Sequence, residues 1–89
     1  MALILVKYGP SHPVAKLKLE TAKEEDRVLL IQNGVYWALE DPSKYTKARV
    51  YATKGDFVAR GYGEEESKVP LLDYPEVVDL IVENEKFIG

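Results

Sequence analysis

The sequence has no cysteine, a single histidine and no long apolar run, and each absence excludes a class of function. Without cysteine the chain forms no disulfide and carries no thiolate nucleophile, persulfide, iron–sulfur cluster or cysteine-bound zinc. One histidine, His12, excludes the motifs in which two histidines bind a metal, and we expect neither a metal nor a cofactor. No segment approaches the roughly 20 apolar residues of a membrane span, and the apolar start is too short for a secretory signal. These features predict a cytoplasmic protein without a membrane anchor.

The length of 89 residues predicts one small domain over residues 1–89. A domain of this size hides only about 60–65% of the surface that its unfolded chain exposes, so additional stability from a partner subunit is a reasonable expectation. The net charge of −3 is unevenly distributed, with +3 on residues 1–60 and −6 on residues 61–89. Asp56 interrupts the most basic stretch, residues 44–60, and Glu40 and Asp41 precede it, so we do not expect direct nucleic-acid binding.

Apolar runs alternate with helix-length segments along the chain. The four predicted strands are residues 2–6, 28–31, 48–52 and 69–72, and the four predicted helices are residues 13–22, 35–39, 53–60 and 75–85. Ser11 or His12 can cap the first helix, and Gly61 can end the third in a left-handed conformation. Alternating strands and helices indicate an α/β fold, a small layered domain with a four-stranded parallel sheet. We favour the strand order 2-1-3-4 if helices cover both faces, with 4-3-2-1 as the alternative.

Polar residues follow each predicted strand, where the βα loops of a parallel sheet meet at one edge. Those that could form a small anion or nucleotide site are His12, Gln32, Asn33, Thr53, Lys54 and Asp73. Among them, we single out His12, Asn33, Thr53 and Lys54 as a candidate ligand site. No glycine-rich phosphate-binding motif accompanies them, so we favour the interpretation that these side chains cap helices.

The second predicted helix has an unusual composition. Val35, Tyr36, Trp37, Ala38 and Leu39 are apolar on every side, whereas a helix on the surface of a monomer needs a polar outer side. Either a neighbouring loop or a second subunit must cover it. We favour the subunit, because Trp and Tyr are enriched in interface cores. The candidate subunit interface is therefore Val35, Tyr36, Trp37 and Leu39.

Three segments together resemble the DsrH/TusB family of the DsrE/DsrF/DsrH-like superfamily. The first is the apolar strand that runs into Gln32-Asn33-Gly34 and the second predicted helix. The second is the strand ending in Tyr51-Ala52, with the helix end Ala59-Arg60-Gly61. The third is Asp73-Tyr74 with the apolar helix that follows it. The resemblance covers about residues 28–82.

This resemblance implies an oligomeric α/β subunit of a cytoplasmic sulfur relay. In the superfamily, persulfide sulfur passes between cysteines, and the bacterial relay serves 2-thiolation of the wobble uridine in certain tRNAs. The implied partners are cysteine-bearing DsrE-like and DsrF-like subunits, or further copies of this chain, most simply as a homodimer. Some family members carry a cysteine on the first helix, but this chain has none there, and Lys18 lies near the corresponding place. The chain is then not an enzyme. The alternatives are a stand-alone homo-oligomer and a small anion or nucleotide binder at the loop edge.

Overall fold

Five parallel strands form the sheet in a computed structural model that describes residues 2–84 in full and the backbone of residues 86–88. Their order is β4-β3-β2-β1-β5. The strands are β1 Ala2–Val6, β2 Arg27–Leu30, β3 Arg49–Thr53, β4 Leu71–Leu72 and β5 Lys86–Ile88. The predicted α/β class with four parallel strands is confirmed. The fifth strand was missed because it is short and follows the last predicted helix.

Three α-helices and three 3₁₀ helices connect the strands. The α-helices are α1 Pro13–Thr21, α2 Lys54–Ala59 and α3 Tyr74–Glu83, and the 3₁₀ helices are Gln32–Leu39, Pro42–Lys44 and Glu64–Glu66. Gln32–Leu39, the second predicted helix, is called the Trp37 helix below. His12 caps α1, since its Nδ1 accepts a hydrogen bond from the Val14 N–H at 3.3 Å, and Gly61 ends α2 with φ of +90°.

The favoured strand order 2-1-3-4 is wrong, and the alternative order 4-3-2-1 is present with β5 added beside β1. Each connection from β1 to β4 moves to the next strand in the same direction. Right-handed crossovers then place all the connecting helices on one face of the sheet. The connection from β4 to β5 returns across the whole sheet, and the same handedness places α3 on the opposite face. Both faces are thus covered without the reversal of direction after β2 that the favoured order required.

The two faces of the sheet are covered unequally. The larger core cluster contains α1, α2 and the Trp37 helix against one face, with Leu19, Trp37 and Phe57 fully buried. The smaller cluster lies under α3 and consists of buried Leu3, Leu29 and Leu80 with partly buried neighbours. One helix therefore covers the face opposite to the main core.

The Trp37 helix is buried by its own chain. Val35 and Trp37 are 0% and 1% exposed, and the Trp37 Nε1–H donates to the Tyr8 carbonyl oxygen at 3.1 Å. The ring of Tyr45 meets Trp37 edge-on, with the ring centroids 5.3 Å apart. The prediction that a second subunit covers this helix is therefore wrong for Val35 and Trp37, which have almost no surface to offer. Tyr36 and Leu39 are half-buried and remain as candidates.

Candidate functional site: the carboxyl edge of the sheet and the outer face of helix α3

The carboxyl edge of the sheet, where the βα loops emerge, holds the candidate ligand residues. The backbone turns sharply at Gln32, a non-glycine residue with φ of +51°, as the chain leaves β2 for the Trp37 helix. The Gln32 N–H donates to Asp56 Oδ2 at 2.9 Å, which ties this turn to the first turn of α2. The same carboxylate oxygen accepts a hydrogen bond from the Thr53 hydroxyl at 2.7 Å. Asp56 thus joins the loops after β2 and β3.

Arg60 completes this network from the end of α2. Its Nη2 and Nε donate to Asn33 Oδ1 at 2.9 and 3.3 Å, and its Nη1 donates to the Asp56 carbonyl oxygen at 2.9 Å. The guanidinium carbon also lies 5.9 Å from the centroid of the Tyr36 ring. Asn33 and Thr53 are therefore hydrogen-bonded within the chain, but neither side chain caps a helix, so the capping interpretation is wrong for these two residues.

The charge of Asp56 is stabilised by this arrangement. Burial alone would raise the pKa of the carboxyl group, but the hydrogen bonds from Gln32 and Thr53 and the positive charge of Arg60 outweigh it. The pKa of Asp56 is consequently lowered below its ordinary value of 3.8. The carboxylate is ionised at neutral pH and holds the two loops together.

Lys54 is also paired within the chain. Its Nζ lies 3.2 Å from Glu64 Oε1 and 3.8 Å from Asp73 Oδ1, and these contacts raise the pKa of Lys54, chiefly through the hydrogen bond to Glu64. The acidic run Glu64–Glu66 forms a short exposed 3₁₀ turn that supplies this partner. The ammonium group of Lys54 is therefore already paired with two carboxylates of its own chain, and an anionic ligand would have to compete with them.

His12 lies apart from the other three candidate residues. Its ring stacks on Tyr8 with the centroids 4.2 Å apart, while its Nδ1 caps α1. Within residues 2–84, no hydrogen bond or ion pair connects it to Asn33, Thr53 or Lys54. The structure thus brings Asn33 and Thr53 into one network through Asp56 and Arg60. The sequence analysis did not identify Arg60 as part of this network. The spacing of Thr53 and Asp56, three residues apart at the start of a predicted helix, was the signal that could have indicated the network.

Residues 2–84 contain no group of three or more His, Asp or Glu side chains that could hold a metal ion. In the same part of the chain, no helix has the length and apolar character needed to cross a membrane.

The outer face of α3 carries the two most exposed large apolar side chains within residues 2–84. Tyr74, Val78, Ile81 and Val82 are 81%, 40%, 40% and 78% exposed, and their spacing places them on one stripe of the helix. These four residues are called the α3 outer face below. The adjacent stripe of the same helix carries Val77 and Leu80, which pack on the sheet.

The comparisons with known proteins identify the family. A profile described as DsrH-like protein matches residues 11–87. The chain belongs to the DsrH-like family. This confirms the resemblance that the three segments carry and extends it toward both ends of the chain.

Named relatives and solved structures agree with this membership. The TusB proteins of Yersinia pestis strain Pestoides F and Yersinia pseudotuberculosis strain IP 31758 are each 29% identical over 90 residues, covering 94% of this chain and 95% of theirs. Two solution structures of protein Tm0979 from Thermotoga maritima are 63% identical over the full length of both chains, with TM-scores of 0.82 and 0.72. One of the two is provisionally named a sulfur transferase.

Proposed function

We propose that this chain is a non-catalytic subunit of a cytoplasmic sulfur relay and that it acts through its contacts with other subunits. The observation that carries the proposal is a DsrH-like chain without cysteine. Persulfide sulfur is carried on a cysteine thiol, and this sequence has none to carry it. The chain's contribution is then to hold subunits that do carry cysteine. The names of its relatives support the relay, and we place it in 2-thiolation of the tRNA wobble uridine.

The surface through which the chain meets these subunits is, in this proposal, the α3 outer face. The apolar stripe lies on the side of the sheet that has one covering helix. Exposed apolar area of this kind marks protein interfaces, particularly when charged residues border it. Glu76, Asp79 and Glu83 occupy the remaining side of α3 and form such a border. Half-buried Tyr36 and Leu39 lie on the opposite layer and are the weaker candidates.

Affinity capture of the tagged chain from its source cells tests the proposal. We expect cysteine-bearing DsrE-like and DsrF-like chains to be recovered in amounts comparable to the bait, as identified by mass spectrometry. The matched control is the double variant I81D/V82D, checked by circular dichroism for a native fold, which should lose these chains. Recovery of copies of this chain alone would contradict the relay role and support the stand-alone homo-oligomer.

Labelling with radioactive sulfane sulfur tests the non-catalytic part separately. In the captured assembly, the label should appear on cysteine-bearing chains in a non-reducing gel and should be released by a thiol reductant. Stable label on this chain would contradict the proposal.

A further inference from the structure

Strand β3 is longer than the strand that pairs with its outer edge. β3 has five residues, but β4 has only two, which pair with Ala52 and Thr53. The hydrogen bonds described on this side begin at Ala52, whose N–H donates to the Pro70 carbonyl oxygen at 3.0 Å. Peptide groups alternate in direction along a strand, so the N–H and C=O of Val50, two residues earlier, face the same side. Among the residues that the structure describes, the amino-terminal half of β3 therefore has no strand paired with it on this side, and Val50, which is 9% exposed, lies at the bottom of the gap.

The segment that precedes β4 is held away from this edge. The Lys68 N–H donates to the Ala38 carbonyl oxygen at 2.7 Å, which draws the chain toward the Trp37 helix. Pro70 has no N–H to offer to a ladder. A groove of about 390 Å³ separates this segment from Val50 and is called the β3 groove below. It lies at the amino end of β3, at the opposite end of the strand from the candidate ligand residues.

The charges that line the β3 groove are mainly positive. Arg49 and Lys68 are exposed on its two sides. The carboxylate that lines it belongs to Asp41, whose Oδ1 already accepts hydrogen bonds from the hydroxyl and N–H of Ser43 at 2.6 and 3.3 Å. Within residues 2–84, neither Arg49 nor Lys68 forms an ion pair. The pKa of Asp41 is lowered chiefly by the hydrogen bond from the Ser43 hydroxyl, and the charge of Lys68 contributes to this lowering. Both cations can therefore also attract carboxylates brought by a ligand.

We propose that the β3 groove binds an extended, acidic segment of a partner protein, which adds to the sheet as a short strand beside Val50. Strand addition draws affinity from main-chain hydrogen bonds, and the open N–H and C=O of Val50 supply them. Arg49 and Lys68 give specificity, because they attract glutamate or aspartate and repel a basic segment. Charges on an open edge also prevent pairing between identical chains, since like charges then meet. The proposal does not depend on the sulfur relay, because the groove is a property of β3 and β4.

Titration of the isotope-labelled full chain with a capped hexapeptide of alternating valine and glutamate tests this proposal by two-dimensional NMR. The amides of Val50 and Lys68 should shift, and hydrogen exchange of the Val50 amide should slow at least about tenfold. The matched peptide of alternating valine and lysine should not bind. Two further peptides carry N-methyl groups on every second nitrogen, one on the odd positions and the other on the even positions. Only one of these two peptides should lose binding, because the N–H groups of only one set face β3.

Charge-reversal variants test the two cations on the protein. R49E and K68E should each weaken binding about fivefold, whereas K7E, an equal charge change in the exposed loop after β1, should leave it within about twofold. Equal binding of acidic and basic peptides would overturn the proposal, as would no shift at millimolar peptide or indifference to methylation. A concentration-dependent shift of Val50 without peptide would also overturn it, by identifying a second copy as the occupant. The comparison of the acidic, basic and methylated peptides uses the unaltered chain, so it tests the proposal even if a variant fails to fold.

Discussion

At the scale of single residues, Gly34 shows how one hydrogen atom can fix the position of an element. At Gly34 the Trp37 helix lies so close to the end of β1 that a Cβ would overlap the carbonyl group of Val6. Gly34 N–H also donates to the Ile31 carbonyl oxygen at 2.8 Å, so the turn cannot easily move away. The overlap involves main-chain atoms, which relax less than the end of a side chain.

We expect Gly34→Ala to destabilise the fold by about 2–3 kcal/mol, because the main chain must shift to admit the methyl group. The matched control is Gly55→Ala in α2, where a Cβ would meet no atom within 4 Å. Because alanine is the better helix former, that variant should be more stable by roughly 0.5–1 kcal/mol. Urea unfolding followed by circular dichroism measures both changes, and equal effects of the two substitutions would refute the steric explanation.

The lowered pKa of Asp56 predicts that the stability of the fold depends on pH. Because its pKa in the folded chain lies below the ordinary value of 3.8, the carboxylate stabilises the fold above that pH. The contribution is lost as the pH falls below 3.8 and through the folded pKa. Asp56→Asn should therefore cost roughly 1 kcal/mol at pH 7, a figure reduced for the partial exposure of the side chain, and progressively less as the pH falls below 3.8.

Unfolding free energies at several pH values measure this difference. Asp79→Asn is the control, since Asp79 is exposed and makes no hydrogen bond or ion pair within residues 2–84. A loss from Asp56→Asn that is the same at pH 7 and pH 2 would show that shape, not charge, joins the two loops.

At the scale of elements, the sequence was sufficient to locate most strands and helices, but not to predict which other elements cover them. β1 was predicted with its observed bounds. At the start of α3, the Asp73 N–H donates to Glu76 Oε1 at 3.0 Å. The burial of the Trp37 helix was not predictable, because Tyr8 and Tyr45 reach it from elements distant in sequence. The fold does contain a helix with an uncovered apolar side, but that helix is α3.

Trp37 therefore contributes to stability, and its substitution should leave assembly unchanged. Trp37→Phe removes the hydrogen bond to Tyr8 and part of a buried ring, and we expect a loss of about 2 kcal/mol. Trp37→Asp should unfold the chain, since it buries an unpaired charge. Light scattering after gel filtration should give Trp37→Phe the same mass as the unaltered chain. A folded Trp37→Phe species of lower mass would restore this helix as a subunit interface.

At the scale of the whole molecule, the order of the strands determines where the chain can meet another subunit. Three connections run in one direction and place their helices on one face, so the single return connection leaves the other face to α3. The candidate polar residues of the carboxyl edge are mostly engaged by one another. The two most exposed large apolar side chains of residues 2–84, Tyr74 and Val82, lie instead on the α3 outer face. Fold topology and exposure thus both support the proposal that the chain assembles through α3.

We expect the isolated chain to self-associate through the α3 outer face, with a C2 dimer as the simplest closed arrangement. Ile81→Asp and Val82→Asp should each lower the mass measured by sedimentation equilibrium to that of one chain, because a charge in an apolar interface loses its water without gaining a partner. Val58→Asp is the matched control, since Val58 is 46% exposed on α2, on the opposite side of the sheet. Dissociation caused by Val58→Asp but not by the α3 variants would place the contact on the other layer. Retention of full mass by all three variants would exclude both helices as the main contact.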